Sequence, residues 1–361
     1  VAAMPETPWK INPSRSGFSP KAGNPQNILS FDIQGPVNAV LKLWKLEIVD
    51  AQGNAVRDLS SANPLPPPEF TWDGFDSQKK LPPDGNYMAR LTVDAGDVSG
   101  PSVVSSDPFF VDVTPPGGTV DIMPNPFNPS GADGNVEFSL ALKQGAAAIM
   151  NWRLFVYDPQ GYQFKDFLSE EHRNSQISWD GRSTSNGLLE SGTQYSIVVR
   201  IFDVYGNEGK IECPFPVAVY GIKRGSVETV RLPDIFFKAY TDDYTDVPAA
   251  RAEHNRDVLD QLAALLKADA KRPIKIVGHA NLVYWNDSVK GANEQRDVLV
   301  PLSKKRAEAI RAALVKRGFE AAAFDVEGVG SADPIVPFSD AVNRWKNRRV
   351  EFVFTANTLQ N

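Results

Sequence analysis

Disulfides are excluded at once, because the 361-residue chain has a single cysteine, Cys213. The three histidines, His172, His254 and His279, are too scattered to show metal-ligand spacing. No apolar run reaches the roughly 18 residues of a membrane-spanning helix, and no array of alternating segments reads as a membrane barrel. An excess of positive charge is also missing. Residues 1–224 hold 18 basic and 25 acidic side chains, a net of −7, while residues 225–361 hold 20 and 19, a net of +1. Neither part carries the basic face of a nucleic-acid binder, so no nucleic-acid partner is expected.

Catalytic patterns are equally scarce. Asp242, Asp243 and Asp246 form the one tight acidic cluster, but it lacks the glycine and distal glutamate of a calcium loop. It precedes a helix, whose N-terminus favours carboxylates, so capping is the expected role. Gly328-Val329-Gly330 lacks the third glycine and the helix start of a dinucleotide loop. No serine or cysteine has a recognisable base partner. The chain therefore reads as non-enzymatic, with no cofactor and no metal. Pro64-Leu65-Pro66-Pro67-Pro68 reads as a rigid loop between strands, with a polyproline recognition motif as the alternative.

What the chain has is enough apolar residue, 42%, to bury several cores, and a long internal repeat. Trp44-Lys45-Leu46-Glu47-Ile48-Val49-Asp50-Ala51-Gln52-Gly53 recurs as Trp152-Arg153-Leu154-Phe155-Val156-Tyr157-Asp158-Pro159-Gln160-Gly161, displaced by 108 residues. Trp72-Asp73-Gly74 recurs at Trp179-Asp180-Gly181, and Phe18-Ser19-Pro20 at Phe127-Asn128-Pro129. A period of that length is domain-sized and suits two tandem sandwiches. Trp44, Leu46 and Ile48 share one strand face, as do Trp152, Leu154 and Val156, and each strand runs into a polar turn. Trp-Asp-Gly reads as a core anchor and a tight turn. On the other face, copy one has Lys45, Glu47 and Val49 where copy two has Arg153, Phe155 and Tyr157, so copy two is expected to pack this side against a neighbour. Ile211, Cys213 and Phe215 share an apolar face, which predicts a buried thiol. Trp-Asp-Gly followed by a glycine turn and a tyrosine strand resembles the FlgD-type immunoglobulin-like domain, as does the opening Pro124-Asn125-Pro126-Phe127-Asn128-Pro129.

The last third changes period. Val258, Leu259, Leu262, Leu265 and Leu266 form the stripe of an amphipathic helix, capped by Thr245 or Asp246 with Pro248 in its first turn. Ile274, Ile276 and Val277 read as a buried strand ending at Gly278. Ser303 is a candidate cap for a second helix carrying Ala307, Ile310 and Leu314, with Gly318 as its C′ residue. Strands over 230–237, 324–326 and 350–354 complete an order of strand, helix, strand, helix, strand, strand, which means helices on one face of a mixed sheet.

Three stretches here, Gly278-His279-Ala280-Asn281, Leu302-Ser303-Lys304-Lys305-Arg306-Ala307 and Asn347-Arg348-Arg349-Val350-Glu351, resemble the signature of the OmpA C-terminal-like domain. The resemblance implies a peptidoglycan ligand, the free zwitterionic end of meso-diaminopimelate, with Arg306 taking the carboxylate through two hydrogen bonds and Arg349 a weaker candidate beside it. The family's aspartate for the ammonium is replaced by Asn281, and its asparagine before Leu-Ser by Leu299. The 25 positions from Asn281 to Arg306 include an inserted loop with Tyr284, Trp285, Asp287 and Lys290, from which Asp287 is a possible compensating acid. His279 is expected to pack structurally.

The expected fold is thus multidomain: two all-β immunoglobulin-like sandwiches at 1–114 and 118–222, then an α+β OmpA C-terminal-like domain at 225–357. Such an organisation resembles envelope proteins of spirochaetes. The function this implies is a non-enzymatic envelope protein, periplasmic or outer-membrane associated, in which an altered site binds peptidoglycan weakly or not at all and an envelope protein partner is possible. A working periplasmic tether between outer membrane and cell wall, and a surface adhesin-like protein, are the alternatives. The family's transmembrane barrel is absent from these residues, no signal peptide opens the sequence as it stands, and export is implied by resemblance alone.

Overall fold

The computed structural model describes residues 9–354 apart from 22, 24–26, 37, 62, 97–99, 132–133, 171–174, 225–226, 239 and 269–272. His172 and the expected boundary at Gly225 lie outside the described residues. A β-rich N-terminal region is followed by a C-terminal α+β domain. The chain divides into two compact units, Val1–Thr119 with Ala141–Arg153 and Arg200–Ile211, and Val120–Leu140 with Leu154–Val199 and Glu212–Asn361.

In the first unit Lys10–Pro13, Leu29–Gln34 and Glu69–Trp72 form an antiparallel sheet in that order. Gly17–Phe18, Phe109–Val111, Gly85–Asp94, Leu43–Asp50 and Ala55–Asp58 succeed one another across a second sheet. Alternate residues of the paired strands Leu43–Asp50 and Gly85–Asp94 point inward, so Trp44, Leu46, Ile48, Ala89 and Leu91 meet Phe31 and Trp72 in one core.

Further along, Gly117–Met123, Val136–Lys143 and Gln176–Trp179 make a three-stranded sheet, and Gln163–Leu168, Ile149–Tyr157, Gln194–Asp203 and Glu208–Pro216 a four-stranded one. Trp179 lies 6.1 Å from Phe138 and 6.2 Å from Phe215, ring centre to ring centre. The two Trp-Asp-Gly segments adopt the same turn. The Trp72 indole donates to the Phe75 carbonyl at 2.9 Å and that of Trp179 to the Arg182 carbonyl at 2.8 Å. Gly74 and Gly181 sit at φ +78° and +81°, where a side chain would be strained. Phe155 is buried and Tyr157 half-buried, their rings stacked at 5.9 Å. Cys213 is only half-buried, because Glu208–Pro216 is an edge strand of its sheet, whereas Phe215 on the same strand is fully enclosed. Burial, with Glu212 alongside, still pushes the Cys213 thiol pKa up.

The C-terminal domain contains β1 (Gly221–Arg224), β2 (Val227–Leu232), α1 (Ala249–Ala268), β3 (Ile274–His279), α2 (Ser288–Glu294), α3 (Val300–Val315), β4 (Phe324–Gly330) and β5 (Val350–Phe354). Its sheet runs β1-β2-β5-β3-β4 and is mixed, with β3 parallel to β4 and antiparallel to β5. Val230, Leu232, Ile274, Ile276, Val350, Phe352 and Phe354 share a core with Leu259, Leu262 and Leu266 of α1 and Ala307, Ile310 and Leu314 of α3. The expected strand over 230–237 is instead Val227–Leu232. Its pairing with β5 stops at Leu232↔Val350, and the chain turns away at Pro233.

Two expected caps are also revised. α1 begins at Ala249, with the Pro248 carbonyl accepting from Arg251 and Ala252. The Asp243 carboxylate organises the turn before it, accepting from the N–H groups of Thr245 and Asp246, while Asp246 pairs with Lys238. Ser303 lies inside α3, because helix starts well upstream at Ser288. Asp287 caps α2 by accepting from the Lys290 N–H at 3.0 Å. A π-helical turn over Gln295–Leu299 then carries the helical path into α3. Pro301 explains the widening: it has no N–H to donate backward, and its ring would strike the carbonyl four residues earlier in a regular helix. Gly318 has the left-handed backbone of a helix stop, φ +93°.

Within the second unit, Gly192 approaches Leu232 and Val258 so closely that a Cβ there would lie 2.9 and 3.2 Å from their side chains. The Val219 N–H donates to Gln261 at 3.0 Å, and the Trp345 indole donates to Asp158 at 3.2 Å. Lys346 and Glu190 form a shielded ion pair at 3.4 Å.

Candidate functional site

The sheet ends at β3 where three backbones converge. The His279 N–H donates to the Arg349 carbonyl at 2.9 Å and the Ala280 N–H to the Gly330 carbonyl at 2.7 Å. Gly278 and Gly328 let α3 lie directly on these strands. A Cβ on Gly278 would sit 2.0 Å from the Ser303 carbonyl oxygen, and one on Gly328 would sit 2.3 Å from the Lys304 nitrogen. Ser303 ties the layers, donating to the Val300 carbonyl and accepting from the Gly330 N–H, each at 3.0 Å. The glycine of the Gly-His-Ala-Asn stretch and the serine of Leu-Ser therefore serve the same close approach of helix to sheet.

Beyond the strand end lies a cavity of about 420 Å³. Asn281, Arg306, Arg348 and Arg349 all line it, with Leu232, Phe237, His279, Glu294 and Trp345, and with Gln160 from the β-rich segment. Arg348 and Arg349 both precede β5, which begins only at Val350, and both reach the cavity. Asp287 is not among the lining residues; its carboxylate is committed to Lys290, whose N–H and ammonium it holds at 3.0 and 3.4 Å.

Arg306 is held from two sides. Its Nε donates to the Thr241 carbonyl at 2.9 Å, and its guanidinium stacks over the Phe237 ring at 4.9 Å. Burial, with Arg348 nearby, lowers its pKa to about 10, so it stays cationic at neutral pH. Arg349 is enclosed. Its Nε donates to Glu351 at 2.7 Å and a terminal nitrogen to the Asp333 carbonyl at 3.1 Å, while Nη1 is buried without a partner. Burial raises the Glu351 pKa, but the Arg349 guanidinium outweighs it and the net shift is downward. His279 lies 3.7 Å from Glu351, yet burial and the Arg349 charge lower its pKa to about 4. The imidazole is therefore neutral, and this contact is not an ion pair at neutral pH. His279, Asp333 and Glu351 could geometrically surround a metal ion, but the Arg349 guanidinium already occupies their midst.

Asn281 accepts from the Asn347 amide at 3.3 Å. Leu299 is buried, and the polar tie from this helix comes one turn earlier, where Gln295 accepts from the Ser331 N–H at 2.7 Å and donates to the Val329 carbonyl at 2.8 Å. Glu294 was not singled out by sequence reasoning. Its Oε2 accepts from the N–H groups of Val283 and Tyr284, each at 3.0 Å.

The OmpA family model matches residues 251–348, the stretch that supplies Arg306, Arg348 and the loop after Asn281. The C-terminal domain is OmpA-like. Over 99 residues it is 30% identical to the Escherichia coli (strain K12) protein described as "Probable lipoprotein YiaD", a match that spans 27% of this chain and 41% of that protein. Among solved structures, a MotB-like protein from Desulfovibrio vulgaris is 25% identical, with 37% of this chain and 76% of that one covered and a TM-score of 0.30. The periplasmic domain of Helicobacter pylori MotB (residues 90–256) is 21% identical, with 38% and 78% covered and a TM-score of 0.30. No helix among the described residues is long and apolar enough to cross a membrane.

Proposed function

We propose that this is a non-enzymatic envelope protein, periplasmic or outer-membrane associated, whose OmpA-like domain at 225–357 associates with peptidoglycan through an altered pocket. The β-rich segments at 1–114 and 118–222 are read as FlgD-type immunoglobulin-like sandwiches in tandem, acting as spacer or docking surface. The observation that carries the reading is the setting of Arg306. One edge of its guanidinium is fixed by Thr241 and its face by Phe237, and Nη1 and Nη2 make no hydrogen bond among the described residues. A cation pre-organised in this way in a half-enclosed cavity suits a carboxylate taken by two parallel hydrogen bonds.

A second reading, a scaffold that has lost its ligand, draws support from Asn281 and Arg349, whose polar groups are already engaged within the protein. Co-sedimentation of the full chain with purified peptidoglycan separates the two. The binding reading expects native protein in the pellet and at least about a tenfold loss for Arg306→Ala. A native chain that stays in the supernatant leaves only the scaffold.

A further inference from the structure

The altered pocket has not lost its negative charge. We infer that Glu294, delivered by the inserted helical loop, is the residue that receives the ligand's ammonium group in place of the charge missing at Asn281. The inference rests on the reading of this cavity as a site for a zwitterionic amino-acid terminus.

Three observations place the carboxylate. Glu294 lines the same cavity as Asn281 and Arg306. Its Oε2 is bonded to the N–H groups of Val283 and Tyr284, which are two and three residues past Asn281. Adjacent Cα atoms are about 3.8 Å apart, so this anchor keeps the carboxylate within roughly 10 Å of the Asn281 backbone. Its other oxygen accepts no hydrogen bond among the described residues.

The other acid that lines the cavity, Asp234, holds Arg251, His254 and the Gln194 N–H, while Asp333 and Glu351 are taken up by Arg349. Asp242, whose charge acts on Arg306, is exposed and is not among the lining residues. The remaining charged lining groups are Asp234 and four arginines, and His279 is neutral, so without Glu294 the cavity would be dominated by positive charge. Gly291 makes the geometry possible: a Cβ there would lie 2.9 Å from the Tyr284 carbonyl oxygen, and its absence lets the loop fold down onto α2. The insertion thus brings an acid back to the pocket along a different path.

The test titrates the full chain with two soluble probes, the tripeptide L-alanyl-γ-D-glutamyl-meso-diaminopimelate and the same tripeptide acetylated on the free amine of its diaminopimelate side chain. Native protein should prefer the free amine by about tenfold. Glu294→Gln keeps an oxygen to accept from Val283 and Tyr284 but removes the charge, and should bring that preference close to one. Adding Asn281→Asp to Glu294→Gln should restore it. A mere loosening of the loop would weaken both probes alike and leave the preference standing, which overturns the inference, as does native protein that binds both probes equally. Binding that needs Arg306 yet ignores Glu294 removes this inference alone. A native chain that binds neither probe nor peptidoglycan removes the underlying reading as well.

Discussion

Trp345 anchors the turn that carries Arg348 and Arg349, and Trp345→Phe should expose how much that anchor contributes. The indole is 4% exposed and donates to Oδ2 of Asp158, itself 8% exposed. Oδ1 of the same carboxylate accepts from the N–H groups of Gln160 and Tyr162, each at 2.9 Å, so one acid fixes both a turn of the β-rich segment and a wall of the cavity. Burial raises the Asp158 pKa, and the hydrogen bonds and nearby Lys346 oppose it. Removing the donor leaves that oxygen poorly solvated, which costs about 1.5–3 kcal/mol for a bond to a charged group. For a unit of this size that corresponds to a fall in melting temperature of about 3–12 °C. Scanning calorimetry would follow the transition, and a double-mutant cycle with Asp158→Ala would isolate the pair, with a coupling of at least about 1 kcal/mol expected. Asp50 offers the control. It holds the matching turn in the first unit by accepting from Gln52 and Asn54, but it is solvated and touches no indole. Zero coupling between Trp345 and Asp158, or a melting temperature unchanged by Trp345→Phe, would refute the argument.

Acid should weaken the C-terminal domain through His279. Its folded pKa of about 4 lies below the unfolded value of about 6.5, so the native state binds fewer protons in that window. The contribution is complete above pH 6.5 and is lost as pH falls to about 4, amounting to about 3 kcal/mol, and urea midpoints should decline correspondingly. An identical decline in His279→Gln would contradict this. Gly278→Ala should be severe, since the new methyl meets the Ser303 backbone at 2.0 Å and neither strand nor helix can yield. A loss above about 3 kcal/mol, or failure to accumulate as soluble protein, is expected, and a melting temperature within 2 °C of native would overturn the packing argument.

Much of the fold could be read along the chain because the information is local. The apolar stripe at Ala307, Ile310 and Leu314 needs only a helical period, and the strand alternation at Trp44, Leu46 and Ile48 only a period of two. The Trp-Asp-Gly turns close on carbonyls three residues from their tryptophans, within the reach of local sequence. The candidate site was legible in part. Asn281, Arg306 and Arg349 do line one cavity, while Asp287, the possible compensating acid, lies outside that lining and caps a helix whose start was not visible in the sequence. Propensity does not foresee a π-helical turn, and at Pro301 the helix widens and continues instead of stopping.

By itself the sequence determined the order of β-rich region and α+β domain, the residues that fill the cores, and an uncharged side chain at Asn281. Only the tertiary structure decided where the remaining charges go. Trp345 meets Asp158 across 187 positions, Arg306 meets Thr241 across 65, and the Glu294 side chain folds back to Val283 and Tyr284. None of these partners follows from periodicity or turn chemistry. Each is set by how the sheet, the helices and the loop after Asn281 close around the end of β3, where burial makes every unpaired charge expensive and so selects its neighbour.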